Sequence, residues 1–296
     1  MYNKTIFIMV GIILAINIFY INQISNIQSK KSSNTKIKVS KNNKVLDLDL
    51  ENYIIGVVAG EMPASFNMEA LKAQAVASRS YALKQNNKNK ILKADTSSQV
   101  YISTDEMKEK WKDDFNYYYK RVKNAVIETK GEVLTKENEI ITAYYFAMSN
   151  GHTQDGKYVF EEKSYLKEVE SVYENESLNN FKVNFTLSIQ EFKRKLDITC
   201  ENVVLNYIHY NNSNYVSELS ICNKTFKGNE FRHLLGLRSP SFKVSISDKI
   251  DITTYGYGHG VGMSQYGANG YAQNGYTYKD ILYHYYKSTK IKRLNV

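Results

Sequence analysis

The spacing of apolar positions changes several times along this chain, and each change marks an element. Residues 6–21 (IFIMVGIILAINIFYI) carry no charge, and Asn17 is their one strongly polar side chain. A membrane span needs about 20 apolar residues, within a range of about 17–25. The run lies at the short end, and Ile24 and Ile27 extend it. Lys4 precedes it, and no small-x-small cleavage site follows. Residues 1–27 are therefore expected to be an uncleaved signal anchor, a single N-terminal transmembrane helix. Residues 28–44 are rich in Ser, Asn and Lys, as a juxtamembrane linker would be, with a strand expected around residues 37–39. Residues 45–296 are expected to form the folded domain.

Leu46, Leu48 and Leu50 alternate with Asp47 and Asp49, a strand pattern. From Leu50 the period lengthens. Tyr53, Ile54, Val57 and Val58 recur at three and four, which predicts a helix ending near Gly60 and stopped by Pro63. Asn67 suits the N-cap of a second, Ala-rich helix with Met68, Leu71, Ala75, Ala82 and Leu83 near one face. Ser103 and Glu106 fit a capping box for a helix running through residues 111–128. The text then turns β-rich. Residues 132–135 and 140–147 predict one hairpin, and 203–210 with 215–221 predict another. Ser188 and Glu191 open a short helix, and residues 229–235 read as helical. Strands are expected within 242–254. A glycine-rich stretch, 256–275, leads to a last helix capped at Thr277. Helices come early and strands late without regular alternation. The expected class is α+β, a helical first part and a β-rich second part around a substrate groove.

Composition narrows the partners only a little. The 296 residues carry 39 Lys+Arg against 30 Asp+Glu, a net charge of +9. That suits nucleic acid, an anionic membrane or an acidic wall polymer, and AT-rich codon usage would give much of it unselected. No zinc finger, basic zipper or RNP1 pattern is present, so nucleic acid is not the expected partner. Two Cys cannot make a four-Cys zinc site or a disulfide-dense scaffold. Pairing Tyr210 with Tyr215 sets Cys200 opposite residue 225, so the two cysteines are expected to be free and buried; a bulge would bring Cys200 to Cys222. The five His show no H-E-x-x-H or short-spaced cluster. No metal or cofactor is expected.

Glu61 is the most distinctive acidic residue. It follows a strongly apolar helix and precedes Met62-Pro63. Apolar burial and a helix C-terminus both disfavour a carboxylate, so its pKa is expected to rise toward what a general acid needs at neutral pH. A solvated helix end, or an ion pair with Arg79, fits the spacing equally well. Gln99 and Tyr101 suit sugar hydroxyls and ring faces, or a plain strand end. Ser149, Asn150 and His152 follow a strand in SNGHT, where a turn would expose them. Gly256, Gly258, Gly260 and Gly262 alternate, so no G-x-G-x-x-G frame fits. Such glycines permit close backbone approach and would project His259, Ser264, Gln265 and Tyr266.

The run LENYIIGVVAGEMPASFNMEALKAQAVASRSYAL (residues 50–83) resembles the opening block of the stage II sporulation protein D family, which includes an amidase enhancer. DTSSQVY, GEVLT, SNGHT, NEFRHLLGL and YGYGHGVGMSQYGANGYAQNGYTYKDILYHYY follow in the same order. The resemblance spans residues 50–286. It implies a peptidoglycan lytic transglycosylase of engulfment, which cuts the β-1,4 bond between N-acetylmuramic acid and N-acetylglucosamine and leaves a 1,6-anhydro end. It implies Glu61 as the catalytic acid. It also implies substrate contacts at Arg79, Gln99, Tyr101, Ser149, His152, Tyr165, Lys167, His259 and Gln265. Implied partners are glycan strands, a sporulation amidase and a membrane anchor protein. Lysines after the apolar run would, read naively, keep the domain in the cytoplasm; the implied substrate places it outside, between forespore and mother cell. The other readings are a non-catalytic, wall-binding enhancer of an amidase and a structural scaffold.

Overall fold

The computed structural model describes residues 35–295. The expected signal anchor, residues 1–27, lies outside the described residues. Among those described, no helix is long and apolar enough to cross a membrane.

The architecture is mixed α+β, built from helices and several small sheets. Strand β1 (Lys36–Lys41) pairs antiparallel with β2 (Lys44–Asp49). Ile37 and Val39 are fully buried, so the end of the expected linker belongs to the core. Asp49 then caps α1 (Leu50–Glu61), accepting from the amides of Glu51 and Asn52. Helix α1 stops at Met62, whose extended backbone is the conformation that a following proline imposes. Asn67 caps α2 (Met68–Asn86) through the Glu69 amide. Small residues let α2 lie close to its neighbours, and its side chains are buried along most of its length. Strand β3 (Leu92–Lys93) pairs parallel with β1.

The helix expected through residue 128 is two helices. The capping box at Ser103 and Glu106 opens α3 (Thr104–Trp111), but Lys112 has φ 46° and breaks the run. A 3₁₀ turn then leads into α4 (Phe115–Glu128). Trp111 packs on Phe115 and Tyr118 across the break. The first hairpin is shorter than expected. Its second strand is only β5 (Glu139–Ile140), paired with β4 (Glu132–Lys136), while β6 (Tyr145–Phe146) pairs elsewhere.

The second part forms around its own core. Strand β7 (Lys182–Leu187), helix α5 (Ile189–Leu196), β8 (Leu205–Tyr210), β9 (Val216–Ile221) and β10 (Lys224–Lys227) lead to α6 (Gly228–Leu235). Strands β11 (Phe242–Ile246) and β12 (Ile250–Tyr255) complete a sheet in the order β11-β12-β7. Phe192, Phe226, Phe231 and Phe242 fill this core. Cys200 and Cys222 form a disulfide with Cα atoms 5.9 Å apart, which corrects the expectation of free thiols. The register of β8 against β9 shifts twice, and β8 begins only at Leu205, so the preceding segment curves back to bring Cys200 to its partner.

The chain then returns to the first core. Strand β13 (Met263–Ser264) pairs parallel with β6. Helix α7 (Gln265–Gln273) forms inside the glycine-rich stretch, α8 (Tyr278–Tyr285) follows the Thr277 cap, and β14 (Lys290–Arg293) pairs with β4.

Arg79 lies at the centre of the first core with no solvent exposure. Its Nε and Nη2 donate to both carboxylate oxygens of Glu51, at 3.0 and 2.7 Å. Nη1 donates to the Glu132 carbonyl at 3.0 Å. The pair joins α1, α2 and β4. Removing one partner leaves a buried charge unpaired, which costs about 3–5 kcal/mol. Arg79→Ala is expected to lower the unfolding free energy by that amount in urea titrations; a change below about 1 kcal/mol would refute the clamp.

Candidate active site

Glu61 is the last residue of α1, and three neighbours converge on it. The Val100 amide donates to Oε1 at 2.6 Å. That reach depends on Gly60, where a Cβ would stand 2.5 Å from the Val100 carbonyl. The Tyr145 hydroxyl lies 3.4 Å from the same oxygen, and the Gln265 amide also hydrogen-bonds the carboxyl. Both come from the β6–β13 ladder: Tyr145 pairs with Met263 and Phe146 with Ser264, which sets Gln265 next in line. The ladder is possible because Gly262 has φ 79°, with no room for a Cβ 2.0 Å from the Tyr144 carbonyl.

Burial pushes the Glu61 carboxyl up to about 7; the Val100 amide, Tyr145, Gln265 and the Lys110 ammonium oppose the rise. The Lys110 Nζ is itself engaged, donating to the Ala59 carbonyl at 2.8 Å.

The carboxyl opens onto a groove of about 660 Å³ between the two parts of the molecule. Glu61 and Tyr81 line it from the first part, and Arg232 and His233 of α6 from the second. The aromatic wall was not legible in the sequence. Phe160 stacks on Tyr144 at 4.1 Å, nearly parallel, and His259 meets the Phe160 ring edge-on at 4.9 Å. Glu61 is the only carboxylic acid lining the groove among the described residues.

Of the residues expected to bind substrate, His259 and Gln265 line the groove. His259 is held neutral: burial pushes it down to about 3, and the nearby Arg232 and His233 add to this. Its Nδ1 accepts from the Val261 amide, so its ring serves as wall. Arg79 is not in the groove, because Glu51 and backbone carbonyls fill its fork. Gln99 is fully buried beneath it, accepting from Tyr53 and donating to the Tyr145 hydroxyl at 2.8 Å. It therefore orients the tyrosine that reaches Glu61. Tyr101 stacks on Tyr53 at 5.5 Å, away from the groove.

Ser149 is buried and gives both its amide and its hydroxyl to Glu174. His152 is exposed, with its backbone bridged to Glu170. Tyr165 is packed in the core, and Lys167 pairs with Asp155 at 2.8 Å. None of these four lines the groove. Glu174, absent from the sequence reading, is a buried hub that also accepts from Ser171 and from Ser264, the N-cap of α7. It thereby fixes the helix that carries Gln265. It is one of several acidic residues between 168 and 176, and nothing local singles it out. Tyr145 was missed for a different reason: only the β6–β13 pairing aims it at Glu61.

The fold and site define a two-part α+β protein with one protonatable carboxyl on the wall of a groove. Comparison with known sequences narrows this class. The family model described as Stage II sporulation protein matches residues 38–135. Stage II sporulation protein D of Bacillus subtilis (strain 168) is 38% identical over 278 residues, covering 89% of this chain and 81% of that protein. Its counterpart in Bacillus amyloliquefaciens is 38% identical over 264 residues, 85% and 76% of the two chains. An amidase enhancer of Bacillus subtilis is 27% identical over 300 residues, but only 40% of its length is covered. The chain belongs to the stage II sporulation protein D family.

The raised carboxyl has a cost in stability. The folded state binds more protons than the unfolded chain between pH about 4.5 and 7, so stability falls as pH rises through that window. Glu61→Gln is expected to be more stable than the parent by about 3 kcal/mol at pH 8, and equal to it well below pH 4.5. Denaturation at the two pH values checks this. A variant no more stable at pH 8 would mean that the carboxyl is not raised.

Proposed function

We propose that this protein is a sporulation peptidoglycan lytic transglycosylase acting in engulfment. It cleaves the β-1,4 bond from N-acetylmuramic acid to N-acetylglucosamine in peptide-free glycan strands and leaves a 1,6-anhydro end. The observation that carries this reading is one raised carboxyl in a groove with no second carboxylic acid among the described lining residues. Hydrolytic glycosidases normally need two carboxylates, one to protonate the leaving oxygen and one to activate water or attack carbon. A transglycosylase needs one. Protonated Glu61 gives its proton to the glycosidic oxygen as the C1–O bond breaks. The resulting carboxylate then takes the proton from the C6 hydroxyl as that oxygen closes on C1. The substrate supplies the nucleophile, so proximity provides much of the rate.

The surroundings suit both halves of this cycle. Burial keeps the acid protonated near neutrality, while the Val100 amide and Tyr145 stand ready to stabilise the carboxylate that follows. Phe160, Tyr144 and Tyr81 offer ring faces for sugars. We infer the setting from the same reading: a single-pass membrane protein with its domain outside the cytoplasm, acting with a sporulation amidase and a membrane anchor protein. The similarity to an amidase enhancer supports a second reading, a non-catalytic wall-binding protein that stimulates an amidase.

Digestion of peptide-free glycan strands, with products analysed by mass, separates the two. The parent is expected to release anhydro ends, and Glu61→Gln to be slower by at least about 10²–10⁴-fold. Wall binding without any such product would favour the enhancer. Reducing ends would indicate hydrolysis. The rate kcat/KM is also expected to fall about tenfold per pH unit above pH 7, as the acid form is lost; a flat profile from pH 7 to 9 would exclude Glu61 as the acid.

A further inference from the structure

The cations of the groove lack partners of opposite charge. Lys88, Lys90 and Arg232 line it, and none takes part in any ion pair among the described residues. Arg232 is the best placed of them. It shares one face of α6 with Asn229 and His233, at the three- and four-residue spacing of a helix, while Phe231 and Leu235 anchor the other face in the core. Its Nε donates to the carbonyls of Leu237 and Arg238, at 3.3 and 3.2 Å, and Nη1 donates to the Asn229 side chain at 3.4 Å. Nη2 has no protein acceptor among the described residues. Beside it, Arg238 stacks on the groove residue Tyr257 at 4.2 Å, and its buried Nε has no hydrogen-bond partner. A partly buried guanidinium without a counter-charge is costly, and an anionic ligand removes that cost.

The charge is also kept apart from the acid. Arg232 acts electrostatically on His259, whereas the cation acting on Glu61 is Lys110. An anion held by Arg232 therefore leaves Glu61 free to stay protonated.

We propose that Arg232, flanked by Arg238, is the specificity-determining residue of the groove, binding the lactyl carboxylate of a peptide-free muramoyl residue. This deepens the transglycosylase reading and rests on it for the identity of the polymer. On a bare glycan strand the acetamido groups are neutral, and the lactyl carboxylate is the ionised group. Where a stem peptide is attached, that carboxyl is an amide and offers no charge to the fork. The groove thereby favours strands from which the peptides have been removed.

The test compares peptide-free glycan with the same strands after the lactyl carboxyls are converted to neutral methylamides. Binding is measured with Glu61→Gln and turnover with Glu61 intact. The acid form is expected to be preferred about 10–100-fold, the range for a charge-assisted pair. Introducing Arg232→Gln should bring that ratio close to one, and Arg232→Lys should keep part of it. The ratio is taken within one preparation, so a variant that folds poorly still reports it. Equal use of the two polymers by the parent, or an undiminished ratio in Arg232→Gln, would overturn the inference. An acid preference in binding without any anhydro product sustains it and removes only the transglycosylase reading.

Discussion

Arg79 has no water to hydrate it, so the protein must fill its fork. Glu51 meets it with two parallel hydrogen bonds, and the Glu132 carbonyl takes a third. An isolated buried guanidinium would be prohibitive, and a planar carboxylate in register satisfies it at two points at once. The consequence is geometric. Glu51 begins α1 and Glu61 ends it, so a clamp at one end fixes where the other emerges. At the far end Gly60 lets the helix close on Val100. The site is thus defined by packing around a helix rather than by a mobile loop.

Two buried carboxyls sit near the groove and play opposite parts. Glu174 accepts four hydrogen bonds, from Ser149 twice, Ser171 and Ser264, which oppose the rise that burial imposes on its carboxyl. Glu61 has weaker compensation. Its one short bond is to Val100, and the Tyr145 contact is long. Glu174 therefore fixes architecture, while Glu61 sits where a proton can come and go. Uncharged aromatic side chains, among them the stacked Tyr144 and Phe160, line the same groove as the acid and Arg232 of α6.

Local signals in the sequence carried the elements well. Asn67, Ser103, Ser188 and Thr277 all cap helices where short-range hydrogen bonding demands it. Glu61 was legible because its cause is local, an apolar helix ended by Pro63. Arg79's place was not legible, because its partner Glu51 lies 28 positions earlier and its expected substrate contact rested on the resemblance. The helix through residue 128 breaks at Lys112, whose φ of 46° lies outside any right-handed helix. The glycine-rich stretch hid α7, since glycine argues against helix unless packing against neighbours requires it.

By itself, the sequence determined the helices that open at residues 50, 68, 189 and 278, and that Glu61 follows an apolar helix. These depend on residues a few positions apart. Only the tertiary structure decided which polar side chains are buried and which face the groove. Gln99, Ser149 and Tyr165 turned inward, and Tyr145, Phe160 and Arg232 came to line it. It also joined Cys200 to Cys222. The reason is that a side chain's exposure and partners are set by strand register and by helices meeting from distant parts of the chain. The pairing of Tyr145 with Met263, 118 positions apart (263 − 145), has no trace in either local sequence.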